Sequence, residues 1–196
     1  MANAEAGPTA SGTVRPVVGA TVRRVKTRAG WPAARCAMTI DPADFRKVLG
    51  HFPTGVMVVT GATDEGPAGM AIGSFASVSL EPPLVVFCPG SSSGTWQAIK
   101  ETGAFCANIL GEDQKDTCGV FAMPSDDRFA SIDWTAAVTG SPVLPGVVGY
   151  IDCEIHAIHD GGDHDIVVGL VKELAVTGEH GPLLFFQGGY GTYEAM

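Results

Sequence analysis

Gly55-Val-Met-Val-Val-Thr-Gly61, continued by Ala62-Thr-Asp-Glu-Gly-Pro-Ala-Gly69, is the stretch on which the fold turns. The first run is β-branched and apolar with glycine at each end. It is too short for a helix and well suited to a strand. The second holds the Asp, Gly and Pro of a hairpin connection. Residues 70–80 return with apolar and small side chains in loose alternation, until Glu81-Pro82-Pro83 interrupts them. Leu84-Val-Val-Phe-Cys88 then reads as a buried strand and Phe105-Cys-Ala-Asn-Ile-Leu110 as another. Further on, residues 149–157, 165–176 and 183–186 read as strands, the first two parted by a Gly161-Gly162-Asp163 turn.

Helices are expected in three places. Asp41 or Asp44 can cap one, with Pro42 in its first turn and Phe45, Val48 and Leu49 on one face. Residues 95–100, capped by Thr95, and residues 113–122 give the others. Residues 123–133 contain Pro124 and a dense polar cluster and read as loop. Many short strands without a regular β-helix-β alternation predict a mainly β chain. A closed or partly closed antiparallel barrel with peripheral helices fits best. Gly55, Gly61, Gly66 and Gly69 lack the dinucleotide-loop spacing, and no phosphate-loop lysine is present, which excludes both common nucleotide folds.

The charge is unevenly spread along the 196 residues. Residues 1–38 carry six basic residues against Glu5 alone, whereas the remainder has six basic and twenty acidic residues. Residues 1–38 show no periodicity and are expected to form a flexible extension, with one domain over residues 39–196. So acidic a body is a poor partner for a phosphate backbone, which argues against nucleic-acid binding. The cysteines Cys36, Cys88, Cys106, Cys118 and Cys153 are dispersed, without a CxxC pair. That disfavours a zinc site or a disulfide scaffold and fits a reducing cytoplasm. No run is long and apolar enough for a membrane helix.

Two stretches have the chemistry of a ligand site. In residues 69–79 the small residues Gly69, Ala71 and Gly73 leave backbone accessible, and Ser74, Ser77 and Ser79 add hydroxyls, as a planar heterocycle with polar edges requires. An ordinary strand with locally satisfied hydroxyls would read the same way. In Cys88-Pro-Gly-Ser-Ser-Ser-Gly-Thr95, amides and hydroxyls can form an anion-binding nest, although a plain turn into a helix has the same composition. His156, His159 and His164 lie near Asp160 and Asp163 without metal-site spacing, so no metal is expected and His164 is better read as a ligand contact. No nucleophile elbow is present, and nothing marks Asp152 and Glu154 as an acid–base pair.

Phe52-Pro-Thr-Gly-Val-Met-Val-Val-Thr60 resembles the opening signature of the flavin reductase family with the FMN-binding split-barrel fold, the reductase components of two-component flavin-dependent monooxygenases. The resemblance continues in order through residues 69–88, Ser93-Gly-Thr-Trp-Gln-Ala-Ile99, residues 105–110, Phe129-Ala-Ser-Ile-Asp-Trp134 and Gly140-Ser-Pro-Val-Leu144. It ends with Asp152-Cys-Glu154, Gly162-Asp-His164 and Pro182-Leu-Leu-Phe-Phe-Gln-Gly188.

The resemblance implies a six-stranded antiparallel Greek-key split barrel working as a homodimer. It implies hydride transfer from NADH to FAD, with FMN as the alternative, and delivery of reduced flavin to a partner monooxygenase. It places Pro67, Ala68, Gly69, Met70, Ala71, Gly73, Ser74 and Ser79 along the isoalloxazine and ribityl chain. Cys88, Pro89, Gly90, Gly94 and Thr95 fall at the ribityl phosphate, Val120 and Phe121 beside the rest of the flavin, and His164, Phe185, Phe186, Gln187 and Gly188 on the nicotinamide side. No residue is expected to be catalytic in the strict sense, because hydride transfer needs stacking and charge stabilisation rather than an acid or base. A preference for NADH over NADPH follows from the lack of a basic cluster near the nicotinamide residues. Two positions depart from the family pattern. Gly73 stands where relatives often carry Asn or Thr, and the phosphate loop has no Lys or Arg. The rival readings are a flavin- or haem-binding barrel without turnover, and a dimeric interaction protein.

Overall fold

The computed structural model describes residues 40–123, 125 and 127–196, so the expected N-terminal extension lies outside the described residues. The chain runs through α1 (Pro42–Leu49), β1 (Thr54–Gly55), β2 (Met57–Thr63), β3 (Gly66–Ile72), β4 (Ala76–Leu80), β5 (Pro83–Phe87), α2 (Gly94–Thr102) and β6 (Ala104–Ile109). It continues through α3 (Lys115–Ala122), β7 (Thr135–Ala136), β8 (Pro142–Val143), β9 (Gly149–Asp160), β10 (Asp165–Val176), β11 (Leu184–Phe186) and β12 (Gly189–Gly191).

The β-branched run is β2, and both of its faces are buried. Met57 and Val59 join one apolar cluster with Phe87, Trp96, Phe105 and Val167. Val56 and Val58 join a second with Leu110, Phe121, Leu144 and Leu183. Successive side chains of a strand point to opposite faces, so a continuous apolar run is what burial on both sides demands.

The main sheet has seven antiparallel strands in the order β3-β2-β6-β9-β10-β5-β4. β3 and β4 occupy opposite edges, yet only residues 73–75 connect them. Laid flat, such a sheet would be about 29 Å across. Four residue steps reach at most about 14 Å. The sheet must therefore curl until its edges approach. Among the described residues no pairing joins β3 to β4, so the barrel is split rather than closed. The expected six strands become seven because residues 76–80 pair with β5 as a separate strand beyond the Gly73–Ser74 break.

One of the two expected caps of α1 is observed, and the cap of α2 differs from the sequence reading. Asp41, not Asp44, caps α1 by accepting from the Ala43 amide at 2.7 Å. Ser93, not Thr95, caps α2, accepting from the Trp96 amide at 3.3 Å. Gly103, with φ 74°, ends α2 in the left-handed conformation that glycine adopts without penalty.

Cys106 and Cys153 are fully buried beside Asp152. Burial and then that carboxylate push the Cys153 thiol up to about 12, and the same two causes push Cys106 up as well. The thiolate is the reactive species, so neither reacts near neutrality. Cys88 is half-buried on the loop after β5. Alkylation of the folded protein at pH 8, followed by peptide mapping, is expected to label Cys88 well before Cys106 or Cys153. Labelling of Cys106 at the same rate would contradict this core.

Candidate active site

The break between β3 and β4 is pinned to the loop after β5. Ser74 Oγ donates to the Cys88 carbonyl at 3.1 Å and accepts from the Cys88 amide at 2.9 Å. The Ser74 hydroxyl therefore ties the two expected flavin segments together. Gly73 and Ser74 are exposed. Among the described residues, the amides of residues 73–75 have no backbone partner.

The Cys88–Thr95 loop is in turn stapled to the turn between β9 and β10. Ser91 donates to the Asp163 carbonyl through both its amide and its hydroxyl, each at 3.0 Å. The Asp165 amide donates to the Pro89 carbonyl at 3.0 Å, and Gly90 bridges to His164. Asp165 Oδ2 also accepts from Trp96 Nε1 at 2.8 Å and pairs with Lys100 Nζ at 3.1 Å, fastening α2 to the same turn. His164, the expected nicotinamide contact, thus sits against Gly90 of the expected phosphate loop. Its Nδ1 lies 2.7 Å from Asp163 Oδ1. That hydrogen bond and the imidazole charge hold the Asp163 carboxyl below its ordinary range.

A small cavity of about 140 Å³ lies between the end of β3 and the β11–β12 hairpin, lined by Thr54, Ala71, Gly73, Cys118, Phe185 and Tyr190 among others. Tyr190 bonds Cys118 Sγ at 3.2 Å and meets Phe185 edge-on at 5.4 Å between ring centres. The bond to Cys118 and burial raise the Tyr190 phenol above its ordinary range. The hairpin turns at Gln187 and Gly188, with φ 49° and 80°, the double positive φ of the tightest hairpin turns. Gln187 donates its amide to the Gly50 carbonyl at 2.9 Å, which seats the turn on the end of α1.

A second cavity, about 280 Å³, opens from Thr95 along residues 65–69. Glu65 and Asp127 line it, and its one basic member is Arg128, the only Lys or Arg between Lys115 and Lys172 in the sequence. Arg128 Nη1 donates to Thr95 Oγ1 at 2.9 Å and to the Gly69 carbonyl at 3.3 Å. Its Nε and Nη2 donate to the Met123 carbonyl at 3.1 and 2.9 Å.

The expected site residues therefore separate into groups. Ala71, Gly73 and Phe185 come together at the first cavity. Pro67, Ala68, Gly69 and Thr95 meet at the second, and Ser74, Cys88, Pro89, Gly90 and His164 are linked between loop and turn. Gly94 opens α2, exposed beside them. Others serve the fold. Met70 packs on the core, and Ser79 Oγ accepts from the Glu81 amide in a local turn. Phe121 is buried against Phe129 with Gly69 beneath it, where a Cβ would come within 2.8 Å of the Phe121 ring. Val120 is exposed, and Phe186 meets His51 edge-on near α1. Thr54, Cys118, Tyr190 and Arg128 are the additions that sequence reading missed. Among the described residues, no group of three or more His, Cys, Asp or Glu side chains is placed to hold a metal.

Residues 49–194 match the model of the flavin reductase like domain. The reductase subunit HsaB of the flavin-dependent monooxygenase of Rhodococcus jostii is 49% identical over 161 residues, spanning 82% of this chain and 83% of that protein. Nitrilotriacetate monooxygenase component B from Mycobacterium thermoresistibile superposes with a TM-score of 0.76 at 46% identity, covering 79% of this chain and 87% of that one. An NADH:FAD oxidoreductase of Streptomyces globisporus, solved with NAD and FAD fragments, gives a TM-score of 0.76 at 34% identity over 82% of this chain and 98% of that one. With the matched domain spanning most of the residues and the same split-barrel architecture beneath it, the chain belongs to the flavin reductase family.

Proposed function

We propose that the chain is an NADH-dependent flavin reductase that supplies reduced flavin to a separate flavin-dependent monooxygenase. The observation that carries this is the cleft that side-chain-poor backbone at Ala71 and the exposed Gly73 lines together with Phe185 and Tyr190. It lies in a chain 49% identical to a monooxygenase reductase subunit. The cradle fits a flat ring. A Cβ at Gly73 would lie 3.2 Å from Thr54 Oγ1, so glycine lets the backbone approach Thr54 closely at this wall.

Bound flavin supplies an acceptor for hydride at N5, donated from C4 of the nicotinamide. The protein holds and orients. The amides of residues 73–75, without a backbone partner among the described residues, would be available to hold the negative charge that a bound flavin gains on reduction, in the manner of fixed oxyanion donors. Ser74, through Cys88, keeps that segment in register with the phosphate loop, where Ser91, Ser92, Ser93 and Thr95 offer hydroxyls. His164 is placed to orient the nicotinamide from the adjoining turn. FAD is the favoured flavin, as for the Streptomyces relative, with FMN as the alternative.

His164→Ala is expected to raise the KM for NADH about ten-fold with little effect on the KM for flavin, the loss of one hydrogen-bonding contact. Unchanged NADH kinetics would remove His164 from this role.

A homodimer completes the reading. Its support is the apolar surface one copy leaves exposed, including Leu80 and Val176 at 94% and 85% accessibility. Sedimentation equilibrium tests it, and a monomer at micromolar concentration would oppose it. No helix among the described residues is long and apolar enough to cross a membrane, and a cytoplasmic location is part of the proposal. To test supply, the protein is stripped of flavin and assayed with NADH against rising FAD. Rate should saturate with added flavin. A rate indifferent to added flavin would count against the supply of free reduced flavin.

A further inference from the structure

Resting on the flavin reductase reading, we infer that Cys118 and Tyr190 form a latch that positions the β11–β12 hairpin against the flavin ring. β12 is Gly189-Tyr190-Gly191, so Tyr190 carries its only side chain. Among the described residues this strand pairs with β11 alone, at the outer edge of a three-stranded sheet. The ladder thus fixes β12 to its own hairpin and not to the opposite side of the cleft. The Tyr190 side chain makes that second attachment, to α3. Its hydroxyl lies 3.2 Å from Cys118 Sγ, and Lys115 Nζ lies 5.9 Å from its ring centre. Residues three apart share one face of a helix, so Lys115 and Cys118 meet Tyr190 from the same side of α3. Cys118 is the firmer of the two, being buried where Lys115 is exposed.

The latch lies on the cleft itself. Cys118 lines the cavity together with Ala122, one turn further along α3. The cleft therefore has three sides: the end of β3 at Ala71–Gly73, the face of α3, and the hairpin with Phe185 and Tyr190. The thiol–phenol bond is where the second side meets the third. A phenol is the stronger donor of the pair, so its proton points to the sulfur. With the hydroxyl spent on Cys118, the ring is held edge-on to Phe185 at 5.4 Å. Phe185 and Tyr190 keep 39% and 38% of their surface accessible, which leaves aromatic surface for a flat ring. Without the bond, a three-residue edge strand is free to shift, and with it the width of the slot.

Tyr190→Phe keeps the ring and removes the hydroxyl, and Cys118→Ala removes the sulfur. Each is expected to raise the dissociation constant of FMN, read by titrating its fluorescence, and the KM for FMN by about five-fold, with the KM for NADH unchanged. The double variant should bind no more weakly than either single one, because both remove the same bond. Cys118→Ser, which keeps a hydroxyl opposite the phenol, should recover most of the affinity. Melting temperatures of all four variants are followed in parallel. A lowered melting temperature with unchanged FMN constants would make the bond purely structural and overturn the inference. Additive losses in the double variant, a serine variant no better than alanine, or equal rises in both KM values would overturn it too. Flavin reduction by the wild type with every variant unaltered strikes this inference alone. A wild type that neither binds FMN nor reduces it strikes the reductase reading beneath.

Discussion

Gly73→Leu is expected to lower flavin-dependent NADH oxidation by roughly 10²-fold, the scale of loss when a reacting ring is displaced by about an ångström. The fold should survive. Gly73 is not among the glycines with positive φ, and a Cβ there meets only the end of the Thr54 side chain. The remaining carbons of leucine would have to enter the cavity between Ala71, Phe185 and Tyr190. Gly73→Ala, adding only the Cβ, should cost far less. Full turnover by Gly73→Leu, with an unchanged melting temperature, would show that the ring is not held in this cleft.

The largest effect on stability is expected at Asn108. This fully buried side chain accepts from the Leu144 amide at 2.8 Å and donates to the Val58 and Pro142 carbonyls, each at 3.2 Å. It joins β6, β2 and β8 to the segment that follows. Asn108→Ala leaves the Leu144 amide buried without a partner and removes side-chain packing as well. Together these should cost about 3 kcal/mol. That corresponds to a fall of roughly 10 °C in Tm for a domain of this size. A loss below about 0.5 kcal/mol in denaturant titration would mean that the network contributes little.

Much of the strand pattern was legible because burial on both faces writes an unbroken apolar run, as in β2. The short strands were not. β7, β8 and β12 have two or three residues each, too few to show an alternation, and are defined only by their pairing in short hairpins. The loops of the site were legible as loops, but their mutual placement was not. Ser74 is marked by its hydroxyl, yet its reciprocal bonds to Cys88 span 14 residues of chain.

Arg128 shows the same limit more sharply. In sequence it sits in a polar loop, and the expected phosphate loop holds no cation of its own. Folding brings it to Thr95 and Gly69, 33 and 59 residues away. Its isolation as the only basic residue in a long stretch was the one available signal. Gly69 is the converse case. Its lack of a side chain looks like an open surface for a ring, but the space belongs to Phe121.

Every role given to these loops depends on the protein reducing flavin with NADH. The direct measurement is anaerobic mixing of purified, folded protein with NADH and either FAD or FMN, following flavin absorbance. Flavin is expected to bleach far faster than without protein, and the oxidised spectrum to return when oxygen is admitted. No protein-dependent bleaching with either flavin would contradict it.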